Sequence, residues 1–344
     1  MKILSLFDGI SCARVALERA GIPVEAYYAS EIDKYAIQVS DKNYGSIVHL
    51  GSVTDIGKDK FFNELPEIDL LIGGSPCQDL SIAKKDRKGL DGERSGLFWE
   101  YVRILREVQP KYFILENVAS MSKESKDIIS KALGVEPIMI DAALVSAQRR
   151  KRLFWTNIPN VGLPEDRGIL LRDILQLDHD FYGVYSDYNN KITEEKAYTL
   201  GTGCGVSRSA TFQQVITKPV RIAKIGKGGQ GDRIYSPDGK SVGLSALGGG
   251  RGAKTGLYAV EDKSYCVPST YYKENVKSLI QRKKKGLMVN ENTTYRKLTP
   301  IECERLQTVP DNYTSSVSNT QRYRMLGNGW TVDVIAHIFR EMPL

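Results

Sequence analysis

Short apolar runs that alternate with amphipathic stretches organise the first 157 residues, and this alternation constrains the fold more than any other feature of the chain. The runs are KILSLF (2–7), VEAYYAS (24–30), SIVHL (46–50), IDLLIGG (68–74), KYFILEN (111–117), PIMIDA (137–142) and RLFWTN (152–157). Helical segments lie between most of them, among them CARVALERA (12–20), DKYAIQVSDKN (33–43) and GLFWEYVRILREV (96–108). In the last, Leu97, Tyr101, Ile104, Leu105 and Val108 recur at three- and four-residue spacing and predict one apolar face. Strands apolar on both faces and separated by helices specify a sheet covered on both sides. The expected fold class is α/β, a doubly wound and mostly parallel sheet.

From about residue 160 the pattern changes. Glycine and serine become frequent (GTGCGVSRS, GKGGQGD, LGGGRGAKTG), helical periodicity fades, and short β-like pieces such as RIYS and GLYAV appear. KAYTLGTG (196–203), KSVGLSAL (240–247) and KSYCVPST (263–270) hint at repeated β-loops. Helical character returns after residue 297, where Thr299 reads as an N-cap with Pro300 at the first helical position and Glu302 at the third. WTVDVIAHIFREM (330–342) is amphipathic and should pack back on the first part. The expected organisation is a discontinuous larger domain, 1–160 and 296–344, with a smaller β-rich domain, 161–295, inserted.

Composition narrows the chemistry. The five cysteines stand at 12, 77, 204, 266 and 303, odd in number and without Cys-x-x-Cys spacing, and there are only three histidines. Neither a disulfide framework, a metal centre nor a histidine triad is suggested. No apolar stretch approaches the roughly 20 residues of a membrane helix, and MKILSLFDG runs directly into a strand, so an intracellular protein in a reducing compartment is expected. The net charge of +7 is compatible with a polyanionic partner without establishing one. Basic residues concentrate in KKDRK (84–88), RRKR (149–152) and RKKK (282–285).

In a doubly wound sheet, ligands bind beyond the carboxyl ends of the strands. Those ends carry Asp8-Gly9, Glu31, Gly51-Ser52, Pro76-Cys77 and Glu116-Asn117. Any one is an ordinary turn former; five consecutive strands delivering a glycine, a carboxylate or a thiol to one edge is the pattern of a site. LFDGISCARVAL is a strand-to-helix turn that lacks the G-x-G-x-x-G spacing of a dinucleotide site. Glu31 lies 22 residues beyond Gly9, where an acidic side chain can accept hydrogen bonds from both hydroxyls of a ribose. A ribose-bearing cofactor without a pyrophosphate bridge suggests S-adenosylmethionine.

FDGIS, GGSPCQDLS, LENV, SAQRRKRLFW and MLGNGWTVDVIAHI occur in an order and spacing that resemble the cytosine-C5 DNA methyltransferase family. The resemblance spans 1–157 and about 296–344. The first half looks particularly like the catalytic domain of the mammalian de novo methyltransferases, whereas the short chain with its own insert looks more like a bacterial or phage enzyme. It implies a Rossmann-like fold that uses S-adenosylmethionine, releases S-adenosylhomocysteine and needs no metal. It implies cofactor contacts from Phe7, Asp8, Gly9, Ile10, Glu31, Ile32, Ser52, Val53, Pro76, Leu97, Asn328 and Trp330.

The same resemblance implies the catalytic set. Cytosine C5 is a poor nucleophile until a thiolate adds at C6, and Cys77 is similar to the family's nucleophile. Glu116 matches the glutamate that presents a proton to N3, while Arg150 and Arg152 match the paired arginines of the QRRKR-like motif, the second of which reaches the cytosine O2. Because C5 and C6 lie inside the duplex stack, the base must be flipped out. The 78–93 loop, with glycines at 89 and 92, is suited to close over DNA, and Gln78, Ser81, Lys84, Lys85, Arg87 and Asn117 are the expected DNA contacts. No side chain stands out as the base that removes the C5 proton, which leaves a held water.

Two departures from the family pattern stand out. Ser11-Cys12 replaces part of the glycine-rich first motif, and Ser52 stands where an aspartate usually meets the adenine amino group. The insert's Thr-Leu pair is found at Thr199-Leu200, with Gly243-Leu244 at a comparable place in GKSVGLSA. The expected function is methylation of C5 in double-stranded DNA, by a cytoplasmic, prokaryotic or phage-encoded monomer, nucleoid-associated through DNA, without a membrane and with a companion restriction endonuclease as a further possible partner. The alternatives are the same chemistry on transfer RNA, or a catalytically silent DNA-binding regulator.

Overall fold

The period-two alternation of β1 (Lys2–Leu6) sends Ile3 into one core cluster and Leu4 and Leu6 into another, so the central strand is covered on both faces. The structure, a computed structural model, describes residues 1–57, 66–75, 97–176, 183–185, 219, 221–224, 233–244, 256–260, 293–296 and 298–343. After β1 come α1 (Cys12–Arg19), β2 (Ala26–Ser30), α2 (Lys34–Asn43), β3 (Ile47–His49), β4 (Leu70–Gly73), α3 (Leu97–Val108) and β5 (Tyr112–Val118). Then follow α4 (Lys123–Leu133), β6 (Ile138–Asp141), the two-residue β7 (Gln148–Arg149) and β8 (Lys151–Thr156).

One seven-stranded sheet results, in the order β3-β2-β1-β4-β5-β8-β6. Its pairings are parallel up to β5, and β8 runs antiparallel to both β5 and β6. Each apolar run of the first 157 residues is a strand of this sheet. The chain steps outward from β1 to β3 and then crosses to β4 on the opposite side of β1. That reversal leaves a crevice beyond the carboxyl ends of β1 and β4.

Local signals hold the helices. The Asp33 side chain caps α2 by accepting from Tyr35 N, and Ser122 caps α4 by accepting from Ser125 N. Gly134 ends α4 in the left-handed conformation, where a Cβ would be strained. The apolar stripe of α3 is centred differently from the expected one. Phe98, Tyr101, Val102 and Ile104 are buried, whereas Leu97, Leu105 and Val108 pack only at its margin. A helix on a flat sheet buries a face wider than one strict row, and Phe98 and Val102 fill its centre.

From residue 298 the chain returns to the sheet. Thr299 caps α5 (Pro300–Leu306), as the sequence predicts, and the structure adds a reciprocal capping box with Glu302. α6 (Asn319–Asn328) and α7 (Val332–Arg340) follow, and α7 packs on α1, where Arg19 pairs with Asp333 at 2.6 Å. Within the intervening region, β9 (Gly183–Tyr185), β10 (Arg221–Lys224), β11 (Arg233–Tyr235), β13 (Leu257–Val260) and β14 (Thr293–Arg296) form a second sheet ordered β10-β11-β13-β14-β9. β12 (Ser241–Val242) instead pairs in parallel with β7. Residues 161–176 lie against the larger body: Leu171 and Ile174 join its core, and Arg167 N–H donates to the Leu144 carbonyl at 2.8 Å. Of the three suggested repeats, 196–203 and 263–270 lie outside the described residues. No helix among the described residues is long and apolar enough to cross a membrane.

Candidate active site

The turn from β1 to α1 is wound through alternating left-handed residues, Phe7, Gly9 and Ser11, at φ 57°, 61° and 57°. Hydroxyl groups hold this turn. Ser5 Oγ and Tyr27 OH both donate to Asp8 Oδ1, at 2.5 and 2.6 Å, and Ser11 Oγ donates to Asp8 Oδ2 at 2.5 Å. Burial pushes the Asp8 carboxyl above its ordinary range, against the opposing pull of Ser11, Ser5 and Tyr27. Glu31 is fixed by backbone: Gly9 N–H donates to Oε2, and Ile32 and Asp33 N–H to Oε1, each at 2.8 Å. A carboxylate offers about four acceptor positions, so capacity remains for about one hydroxyl of a ligand. Beside it Ile32 is 77% exposed, an apolar surface held open at the mouth of the crevice.

The second half of the site is built by β5 and β8. Arg152 Nε lies 2.7 Å from Glu116 Oε1, and Trp330 Nε1 donates to Glu116 Oε2 at 3.2 Å. Gly74 permits this approach, because a Cβ there would stand 2.9 Å from Trp330 Nε1 and 3.1 Å from Glu116 Oε2. Arg150 is buried and its guanidinium donates to the carbonyls of Leu244, Gly327 and Gly329 at 2.9, 3.0 and 2.9 Å. Three backbone carbonyls thus hold its charged tip, whereas that of Arg152 divides between the Lys151 carbonyl and Glu116.

One cleft of about 350 Å³ joins the two halves, within the size of small-molecule sites. It gathers Phe7, Asp8, Gly9, Ile10, Glu31, Ile32, Ser52, Val53, Leu97, Glu116, Arg150, Arg152, Asn328 and Trp330. Pro76, Cys77, Gln78, Ser81, Lys84, Lys85 and Arg87 lie outside the described residues. Asn117 requires a correction: read as a DNA contact, it is 1% exposed and gives its amide to Ser75 Oγ and the Ser75 carbonyl. Consecutive strand residues point to opposite faces, so Glu116 and Val118 reach the cleft and Asn117 turns inward.

The sequence reading missed Cys12, Gly74, Ser75, Gly327 and Gly329 as wall residues. Cys12 is buried and its thiol is pushed up to about 12 by that burial, which leaves it a neutral packing group. Ser52 bonds Thr54 Oγ1 through its hydroxyl at 2.8 Å. Among the described residues no group of three or more His, Cys, Asp or Glu is placed to hold a metal ion.

A mostly parallel sheet with helices on both faces, and a carboxylate-bearing crevice at its switch point, make a Rossmann-like fold of the kind found in methyltransferases. The chain belongs to the C-5 cytosine-specific DNA methylase family, whose model matches residues 1–343. It is 29% identical to the type II methyltransferase M.HhaI of Haemophilus parahaemolyticus, over 98% of this chain and 93% of that one. It is 28% identical to the orphan methyltransferase M.SPRI of Bacillus phage SPR, over 99% and 97%. Among solved structures, the Entamoeba histolytica methyltransferase EhMeth aligns over 99% of this chain and 97% of its own, with a TM-score of 0.65 at 16% identity.

Proposed function

We propose that the protein transfers a methyl group from S-adenosylmethionine to C5 of a cytosine flipped out of double-stranded DNA. The observation that carries this reading is the pinning of Glu116 between Arg152 and Trp330, in the same cleft that holds Glu31 at its other end. The cleft suits the cofactor: Glu31 has acceptor capacity toward a ribose, Ile32 and Leu97 offer apolar surface to a base, and Asn328 and Trp330 line the wall toward Glu116. When bound, S-adenosylmethionine supplies an electrophilic methyl group on a sulfonium.

The protein's residues prepare the ring to take it. Cys77, two residues along the chain from Ser75, adds as thiolate to C6 and breaks the aromaticity, which makes C5 nucleophilic. Charge pushed toward N3 is met by a proton from Glu116, which takes it up from water as the entering base displaces one of the donors on its carboxylate, and Arg152 donates to O2. A base entering the cleft replaces a hydrogen bond of Glu116 and one of Arg152 with bonds to N3 and O2, so the two side chains are already paired near the atoms they must serve. With the methyl on C5, loss of the C5 proton to a water expels Cys77 as thiolate, and the N3 proton returns to Glu116.

Gln78, Ser81, Lys84, Lys85 and Arg87, in the stretch of sequence that follows Cys77, are the proposed DNA contacts, and residues 161–295 the target-recognition domain, with 1–160 and 296–344 binding cofactor and catalysing transfer. We infer a cytoplasmic monomer acting on nucleoid DNA. The relatives' names include both a type II methyltransferase and an orphan, so a companion restriction endonuclease is an arrangement to look for beside the gene. The test is transfer from labelled S-adenosylmethionine to mixed-sequence duplex DNA and to transfer RNA, with base-resolution mapping of 5-methylcytosine. Label in DNA that vanishes in Cys77→Ala, with cofactor binding retained, is expected. Label in RNA alone would move the substrate to RNA, and full turnover by Cys77→Ala would overturn the mechanism.

A further inference from the structure

The segment 146–150 holds two separate pieces of chain at once. On one side it carries residues 240–244 of the inserted region. Lys240 is fully buried and donates its ammonium to the carbonyls of Ser146, at 3.0 Å, and of Ile169. Ser241 N–H donates to the Ala147 carbonyl at 2.6 Å, and β12 then runs beside β7 with Ser241 opposite Gln148. Gly243 lies so close that a Cβ would stand 3.0 Å from the Arg149 carbonyl. Leu244 N–H reaches Gln148 Oε1 at 3.4 Å.

On the other side the segment grips the wall of the cleft. Gln148 Nε2 donates to the Leu306 carbonyl, Gln307 Oε1 and Thr331 Oγ1 at 2.6, 2.9 and 3.2 Å. Gln307 Nε2 passes the contact on to the Leu326 and Gly329 carbonyls. Arg150 makes the link in one step. One guanidinium nitrogen holds the Leu244 carbonyl, and the other holds those of Gly327 and Gly329, which flank Asn328 and precede Trp330.

We propose that Arg150 is a positioning residue that couples the seating of the insert on DNA to the cofactor side of the cleft, an inference that rests on the methyltransferase reading above. A shift of the Leu244 carbonyl when the insert docks is transmitted through a rigid, planar fork to Gly327 and Gly329. A lysine in its place offers a point charge on a flexible stem and cannot hold the carbonyls in that fixed relation. Since coupling between two binding sites is reciprocal, DNA tightens cofactor binding by the same factor by which cofactor tightens DNA binding.

The test is calorimetric binding of S-adenosylhomocysteine to the full chain, alone and saturated with a duplex carrying the mapped target site. The wild type is expected to bind about 5-fold or more tighter with DNA present. Arg150→Lys should narrow that ratio to within about twofold while still binding DNA and unfolding cooperatively. Lys240→Met loosens the same segment without touching the cleft wall, and serves if Arg150→Lys does not fold. It should narrow the ratio too, with the DNA-free affinity for S-adenosylhomocysteine kept within about twofold. An unchanged ratio in a folded variant, or no ratio in an active wild type, overturns the coupling. A wild type that neither transfers methyl nor binds S-adenosylhomocysteine overturns the functional reading instead.

Discussion

Arg152 and Glu116 meet across the antiparallel pair β8 and β5, with the guanidinium Nε 2.7 Å from a carboxylate oxygen and both side chains largely buried. Groups that act on one substrate ring as a unit lose function non-additively. Glu116→Gln should lower single-turnover methyl transfer by about 10²–10⁴-fold, the range for a positioned proton donor. Arg152→Ala should cost about 10²–10³-fold, as for one donor to developing charge. The double variant should be little worse than Glu116→Gln. Losses that multiply would mean that the two side chains serve the ring independently.

Gly74 is the backing of the same pair. Its missing Cβ leaves room for Trp330 Nε1 and Glu116 Oε2, both of which a methyl group would meet at about 3 Å. Both neighbours are anchored, so Gly74→Ala must displace one of them, and overpacking of this kind costs about 1–3 kcal/mol. We expect kcat/KM for methyl transfer to fall about tenfold or more, with thermal unfolding changed by only a few degrees. Unchanged kinetics would show that Trp330 moves aside freely and does not hold Glu116.

The local signals in the sequence were sufficient for the seven strands of the larger sheet, the Thr299–Pro300–Glu302 cap and the place of the carboxylates Glu31 and Glu116 at strand ends. Each is a pattern of a few adjacent residues, or a residue at a strand end whose position topology dictates. Asn117 shows the limit of reading strand ends as a group, since the two-residue period allows only one of Glu116 and Asn117 to face the cleft. The buried, carbonyl-holding roles of Arg150 and Lys240 were hidden for another reason. Their partners are 94 or more residues away for Leu244, Gly327, Gly329 and Ser146, and nothing in RRKR or DGK distinguishes a buried fork from a solvated charge. Gly74 and Gly329 were present in quoted motifs, but what each must accommodate is set by long-range packing.

Ser11 separates backbone strain from hydrogen bonding. It sits at φ 57° and its hydroxyl bonds both Asp8 and Ser40, at 2.5 and 2.7 Å. Ser11→Ala keeps the left-handed strain and strands buried partners, which costs about 1–3 kcal/mol. Ser11→Gly loses the same hydroxyl yet relieves about 1 kcal/mol of strain. Urea unfolding should therefore rank wild type above Ser11→Gly and Ser11→Gly above Ser11→Ala. The reverse order of the two variants would show that the turn relaxes away from the left-handed region once the hydroxyl is gone.

Asp8 makes stability depend on pH in a direction opposite to that of a salt-bridged carboxylate. Its carboxyl is raised by burial, the largest influence on it, while Ser11, Ser5 and Tyr27 pull the other way. At pH values below the ordinary carboxylate range the group is protonated in both folded and unfolded chains. As pH rises through that range the unfolded chain releases its proton first, so the folded state binds more protons and loses stability. The loss continues until the raised folded value is passed, and is constant thereafter. Asp8→Asn cannot titrate, so the stability of wild type minus that of Asp8→Asn isolates the effect. We expect this difference, from urea unfolding at about pH 3.5, 5 and 7, to shrink as pH rises. A difference that grows would mean that the three hydroxyl donors outweigh burial and that Asp8 is held as a carboxylate.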